Sequence, residues 1–77
     1  MIIRSQDKSV ITTDLDVWFD NYINEYKIQN KEFNLGRYST EEKAIKVLDM
    51  ICRAYESFRG GNVYEHSIFQ MPQDSEV

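Results

Sequence analysis

Residues Ser39 to Phe58, STEEKAIKVLDMICRAYESF, constrain the fold more than any other stretch of this chain. Apolar residues stand at Ala44, Val47, Leu48, Ile51, Ala54, Tyr55 and Phe58, the spacing of one helical face. Ile45 and Cys52 widen that stripe on one side. Ser39 and Glu42 fit a capping box, in which the hydroxyl takes an amide of the first turn and the carboxylate reaches back. Glu41 and Glu42 also stand where the helix dipole favours negative charge. Gly60-Gly61 supplies a stop, because glycine enters the left-handed conformation of a helix C-cap readily. Glu42 to Lys46 and Asp49 to Arg53 are acid-first i,i+4 pairs, each worth about 0.2–0.5 kcal/mol on an exposed face. The spacing therefore predicts one helix over about residues 39–58, with Val47, Leu48, Ile51, Ala54 and Tyr55 buried.

The rest of the chain reads as strands around that helix. Met1 to Ser5 is a short strand, and Gln6-Asp7-Lys8-Ser9 is a polar turn. Val10, Ile11, Thr12 and Thr13 are β-branched and suit a second strand, ended by Asp14-Leu15-Asp16. Two readings compete over 17–26. Trp18, Phe19, Tyr22, Ile23 and Tyr26 fit a helix face, but the aromatic content and Asp20, Asn21 and Asn24 are poor helix material. The preferred reading is a strand near 16–21, a turn around Asn21 to Glu25 and a strand near 26–30. Glu32 to Tyr38 alternates as a further strand, with Phe33, Leu35 and Arg37 on one side. Residues 62–71 alternate again, and Pro72 should end their pairing. The fold class is α+β: a small antiparallel sheet, one amphipathic helix packed on one face, and a closing C-terminal strand. Residues 1–77 form a single domain, in which the acidic residues 73–77 are expected to fray.

At 77 residues the core is small, and one core of this size supplies no more than about 3–5 kcal/mol. Cys52 is the one cysteine and His66 the one histidine, so neither an internal disulfide nor a four-ligand zinc site is available. Self-association is the remedy left. Trp18, Tyr22, Tyr26 and Tyr64 exceed what one helix face can cover, which points to a homodimer. The net charge is −4, with the acidic excess gathered in residues 14–32, and this argues against direct nucleic-acid binding. No apolar run is long enough to span a membrane. The start, MIIRSQDK, has no long apolar core of the signal-peptide kind, and a lone thiol suits a reducing cytoplasm.

Catalysis needs a nucleophile with a base, paired acids or a metal. Cys52 on the helical stripe reads as a small buried hydrophobe. His66 has no partner nearby in sequence, Asp14-x-Asp16 is a polar turn rather than a cation loop, and the glycines match no phosphate loop. The expectation is a protein that is not an enzyme and uses no cofactor or metal. Binding is the alternative. Trp18 and Tyr22 could serve as hot-spot aromatics or stack on a base, while Phe19 reads as core. Arg4, Arg37 and Arg59 could contact phosphates, against the plainer reading of solvated surface charge.

Three stretches, MIIRSQDK, LGRYSTEEKAIKVLDMI and IFQMPQDSEV, together resemble a family of small proteins found in Firmicutes and carried on prophages and other mobile elements. The resemblance covers nearly half the chain and leaves out Ser9 to Asn34. It carries no catalytic or binding residues with it. It implies a mobile-element accessory protein, cytoplasmic in its bacterial host. By analogy with such contexts, the chain would be an anti-defence inhibitor that binds a host defence protein, in the manner of anti-CRISPR proteins. One alternative is an oligomeric sponge that sequesters a nucleotide immune signal. Another is a structural or regulatory interaction module unrelated to defence.

Overall fold

The computed structural model describes residues 1–59 and 68–77, with Tyr22, Phe58 and Arg59 described by their backbone alone. In chain order the described elements are β1 (Ile2–Arg4), β2 (Ile11–Thr12), β3 (Trp18–Tyr22), β4 (Glu25–Gln29), β5 (Asn34–Tyr38), α1 (Glu41–Arg59) and β6 (Ile68–Gln70). The fold is α+β, as the sequence pattern implies, but its strands divide into two three-stranded sheets. One is the antiparallel meander β3-β4-β5; the other has the order β2-β1-β6. In that second sheet β1 runs antiparallel to β2 and parallel to β6, so the closing strand is the one parallel partner. The spacing of apolar residues within a strand carries no information about the direction of its neighbour. The expected strand over 62–71 begins in the described residues at Ile68, and Pro72 follows its end. The Gly60-Gly61 stop, Tyr64 and His66 lie outside the described residues.

Residues 17–26 form the hairpin rather than the helix. Ile23 and Asn24 both take left-handed φ, 32° and 64°, as the two-residue turn between right-twisted strands requires. The turn pairs Tyr22 with Glu25, and the ladder continues through Asp20 with Lys27 to Trp18 with Gln29. Phe19 and Tyr26 meet edge to face at 6.2 Å on the inner surface. Tyr26, expected among the surplus aromatics, thus packs partly buried against the core. In β5 the register jumps from Ile28 opposite Gly36 to Gln29 opposite Asn34, which leaves Leu35 as the extra residue of a bulge. The bulge shifts the alternation by one, so Leu35, Gly36 and Tyr38 are buried and Phe33 and Arg37 are exposed.

α1 lies over the meander, touching all three of its strands. Ala44, Val47 and Ile51 are buried against Ile28, Leu35 and Tyr38, with Ile3 and Met71 completing the core. The helical stripe is wider than the surface it covers. Leu48 and Ala54 are half-buried, while Tyr55, expected in the core, is 39% exposed and Ile45 44% exposed. Cys52, expected to be a buried hydrophobe, is exposed. The helix also starts one residue later than its sequence signals imply. Thr40 is the cap, its Oγ1 accepting the Lys43 N–H at 3.1 Å. Ser39 instead donates its N–H (2.8 Å) and its hydroxyl (3.1 Å) to the Asp74 carboxylate, and Lys43 Nζ donates to the Asp74 carbonyl at 2.9 Å. The C-terminal residues, expected to fray, are therefore pinned to the start of α1, with Asp74–Glu76 forming a 3-10 turn. A buried hydrogen bond from the Tyr38 hydroxyl to the Pro72 carbonyl (2.7 Å) brings the chain to that point. Burial, with the charges of Asp74 and Glu76, pushes the Tyr38 phenol well above its ordinary range. Neither acid-first pair of the helix closes into an ion pair, since exposed pairs gain too little to fix two long side chains.

Two polar side chains join the parts. Gln6 donates its N–H to the Leu35 carbonyl, accepts the Arg37 N–H on its Oε1 at 2.9 Å, and donates Nε2 to the Arg37 and Pro72 carbonyls. Asn30, buried, accepts the Glu32 and Phe33 N–H groups on Oδ1 and donates Nδ2 to Thr12 Oγ1 and the Asp14 carbonyl. The first ties β5 to the turn after β1; the second ties the β4–β5 turn to the segment before β3.

Truncating Ile51 to alanine should lower stability by about 2–5 kcal/mol in chemical denaturation, the range for a buried isoleucine. Tyr55→Ala, at the exposed flank, should cost well under half of that. Ile23→Asn should raise the melting temperature, because a β-branched residue at left-handed φ is strained and asparagine is not. Acid should also lower the stability of the chain in a defined window. The Asp7 carboxyl is drawn down to about 2, first by the Ser9 hydroxyl and N–H and then by Ser5. That of Asp74 is lowered chiefly by the Ser39 N–H. Both groups are more acidic folded than unfolded, so their contribution is full above an ordinary aspartate value of about 4 and is lost as pH falls toward their folded values. Melting temperature measured from pH 6 to 2 should fall below about pH 4. Asp74→Asn should melt lower at neutral pH and show a shallower acid decline.

Candidate functional site

The two-residue turn decides which backbone groups of β3 are used. Tyr22 and Glu25 must exchange both hydrogen bonds, and in an antiparallel ladder every second pair does the same. Trp18, Asp20 and Tyr22 therefore bond to β4, while Phe19 and Asn21 direct their N–H and C=O away from the sheet. The same alternation carried across β4 directs the groups of Leu35 and Arg37 outward from β5. There Gln6 takes the Leu35 carbonyl and both groups of Arg37. One edge of the meander is thus closed by a glutamine. At the other, no hydrogen bond from a described residue reaches the outward groups of Phe19 and Asn21.

Next to the start of this edge lies a mostly apolar cleft of about 460 Å³ between α1 and the segment leading into β3. Leu15 and Val17 form one wall; Leu48, Ile51, Cys52 and Tyr55 form the other. The Leu15–Val17 wall is held by local bonds: Asp14 N–H to Thr12 Oγ1, Asp16 N–H to Asp14 Oδ1, and Val17 N–H to the Leu15 carbonyl at 3.0 Å. Asn30 holds the same segment from behind through the Asp14 carbonyl. Cys52 in the α1 wall is an exposed free thiol.

Above the edge, on the outer face of the meander, stand Trp18 and Asp20, with Gln29, Lys27, Glu25 and Arg37 on the neighbouring strands in register. Trp18 is 41% exposed. Asp20 Oδ2 accepts Gln29 Nε2 at 2.7 Å, and Arg37 approaches Glu25 at 3.8 Å. From Thr13 to Asn24 the chain carries Asp14, Asp16 and Asp20 and no lysine or arginine.

The structure brings together two of the five binding residues expected from sequence. Trp18 and Arg37 share the outer face of the meander. Tyr22 occupies the register position opposite Glu25, and its side chain lies outside the described residues, as does that of Arg59 at the end of α1. Arg4 is exposed on the other sheet, opposite Ile11 and Gln70. The sequence reading missed the cleft residues Leu15, Val17, Leu48, Cys52 and Tyr55, and the backbone of Phe19 and Asn21. The signal was the width of the helical stripe: Cys52 and Tyr55 carry it past what three short strands can cover. Among the described residues no group of three His, Cys, Asp or Glu is placed to hold a metal ion, and no helix is long and apolar enough to cross a membrane. Comparison of the chain with models of protein families, with curated proteins and with solved structures found no match.

Proposed function

We propose that the chain is a non-enzymatic binding protein whose ligand is another protein, and that it serves a mobile element as an anti-defence inhibitor by occupying a host defence protein. The observation that supports protein binding is the open β3 edge next to the apolar cleft. Unpaired backbone groups beside unfilled apolar surface are what a protein segment can satisfy together, and small domains rarely keep both without a partner. The mobile-element setting, the defence target and a cytoplasmic site of action are supported by the resemblance of the three stretches quoted above. A second reading, the nucleotide sponge, has one observation in its favour: Trp18, Lys27 and Arg37 stand on one sheet face, where an aromatic and cations suit a base and its phosphate. Arg37 there already has Glu25 as a partner. Homodimerisation, expected from the small core and the surplus aromatics, is a separate proposal.

Co-purification from host cells during infection tests this reading, with two variants at the cleft. Cys52→Ala should retain the same host protein as the wild type. Cys52→Glu, which sets a charge on an exposed position of the apolar wall, should reduce its recovery at least tenfold without changing the melting temperature. Recovery of nothing across several hosts would sink the inhibitor. A thermal shift with a cyclic or linear nucleotide, worth about 2.7 kcal/mol at 100 times its Kd, would move the balance to the sponge.

A further inference from the structure

We propose that the open edge of β3 takes up an extended protein segment as a fourth strand of the meander, and that this segment alternates apolar and basic side chains. The inference rests on the reading that the ligand is a protein and names the chemistry of the segment it binds. Three features of one place carry it. Phe19 and Asn21 present their N–H and C=O groups at the spacing of a strand ladder, and no described residue meets them. A strand laid along them would turn alternate side chains to opposite faces. One set would enter the cleft between Val17 and the Leu48–Cys52–Tyr55 flank of α1, whose mostly apolar lining favours apolar groups. The other set would lie beside Trp18 and Asp20, with Asp16 at the near end.

Charge selects the occupant. The rim from Thr13 to Asn24 carries three aspartates and no cation of its own. Lys27 stands across from Asp20 and Gln29 Nε2 donates to Asp20 Oδ2 at 2.7 Å, both from the β4 side, so the formal charges that flank the edge are those of Asp16 and Asp20. Lysine or arginine in the outward set complements their negative charge, and arginine or lysine stems also cover the exposed indole. A second copy of this chain fits less well. The two-fold register that overlaps β3 completely sets Asp20 against Asp20 of the other copy, and like charges directly opposite oppose pairing. Main-chain bonds then supply affinity, and the alternation of cleft and acidic rim supplies specificity.

Amide-resolved NMR titration of the full chain decides the matter. The probes are a blocked seven-residue peptide alternating valine and lysine, its valine–glutamate counterpart, and the fully N-methylated valine–lysine peptide. The lysine peptide should shift the Phe19 and Asn21 amides and slow their exchange. It should bind at least tenfold more tightly than the glutamate peptide and lose affinity with salt. The N-methylated form should not bind at the edge. Asn21→Pro removes an outward donor and leaves the bonds of Asp20 and Tyr22 to β4, so it should weaken binding at least tenfold in a chain that still melts cooperatively. If that variant does not fold, the N-methylated peptide makes the same distinction. Equal binding of the N-methylated peptide, equal binding of both charges, or no binding of any peptide overturns strand addition. Shifts confined to Leu48, Cys52 and Tyr55 overturn it too, while leaving protein binding through the cleft intact. A mass of two chains that Asn21→Pro returns to one would make the occupant a second copy, which also overturns the proposal.

Discussion

Among the described residues one long helix covers the meander, and most of the molecule follows from the mismatch between its apolar stripe and those three short strands. Ala44, Val47 and Ile51 lie fully over the meander, where they meet Ile28, Leu35 and Tyr38. Apolar positions further round the helix find no strand beneath them. On the β3 side they meet only the short Leu15–Val17 segment, and the contact stays open as a cleft. A fourth strand beside β3 would close it; the described residues contain none. The same mismatch accounts for the exposure of Cys52 and Tyr55, which a wider sheet would have buried.

Polar groups complete what the core leaves undone. Gln6 ends β5 by mimicking a peptide unit, giving and taking a hydrogen bond at Arg37, and so makes an added strand on that side unnecessary. Asp74 does for the start of α1 what a capping box was expected to do. It is 35 residues from the amide it accepts, so the helix start and the C-terminal residues stabilise each other. Asn30 fixes the segment before β3 and thereby one wall of the cleft. Each of these residues satisfies backbone groups that the helix and sheets themselves leave without a partner.

What could be read from the sequence was what depends on local period. The helix, the hairpin at Asn21 to Glu25 and the turn at Gln6 to Ser9 all follow from spacing and turn chemistry. Tertiary relations were hidden. The bulge at Leu35 inverts the alternation of β5 without any glycine or proline at the extra residue. The parallel entry of β6 beside β1 joins the two ends of the chain, and the reach of Asp74 to Ser39 ties the C-terminal residues to its middle. Of the site, Trp18 was legible as an aromatic without a place in the core. The cleft was not, because a helical stripe of given width does not say how wide a sheet it will meet. The open edge was hidden for a related reason: which edge is open depends on where Gln6 lands.

An open strand edge is a hazard as well as an opportunity, and the acidic residues around β3 bear on both. Inward or edge-flanking charge is one of the ways native proteins prevent sheets from joining edge to edge. Asp20 would oppose its own image in a second copy paired fully along β3, so it disfavours that one arrangement. A guard of fixed sign is also selective. It repels segments of the same charge and admits those of the opposite charge, and the cleft next to it disfavours any that lack apolar side chains at alternate positions. Disfavouring of self-pairing through β3 and preference for a basic, alternating segment would then both come from the negative charge beside the edge, Asp20 above all. Lysine guards would protect the edge equally well, and they would admit the opposite class of segment. The sign of the charge around β3, rather than its presence, is what carries information about the partner.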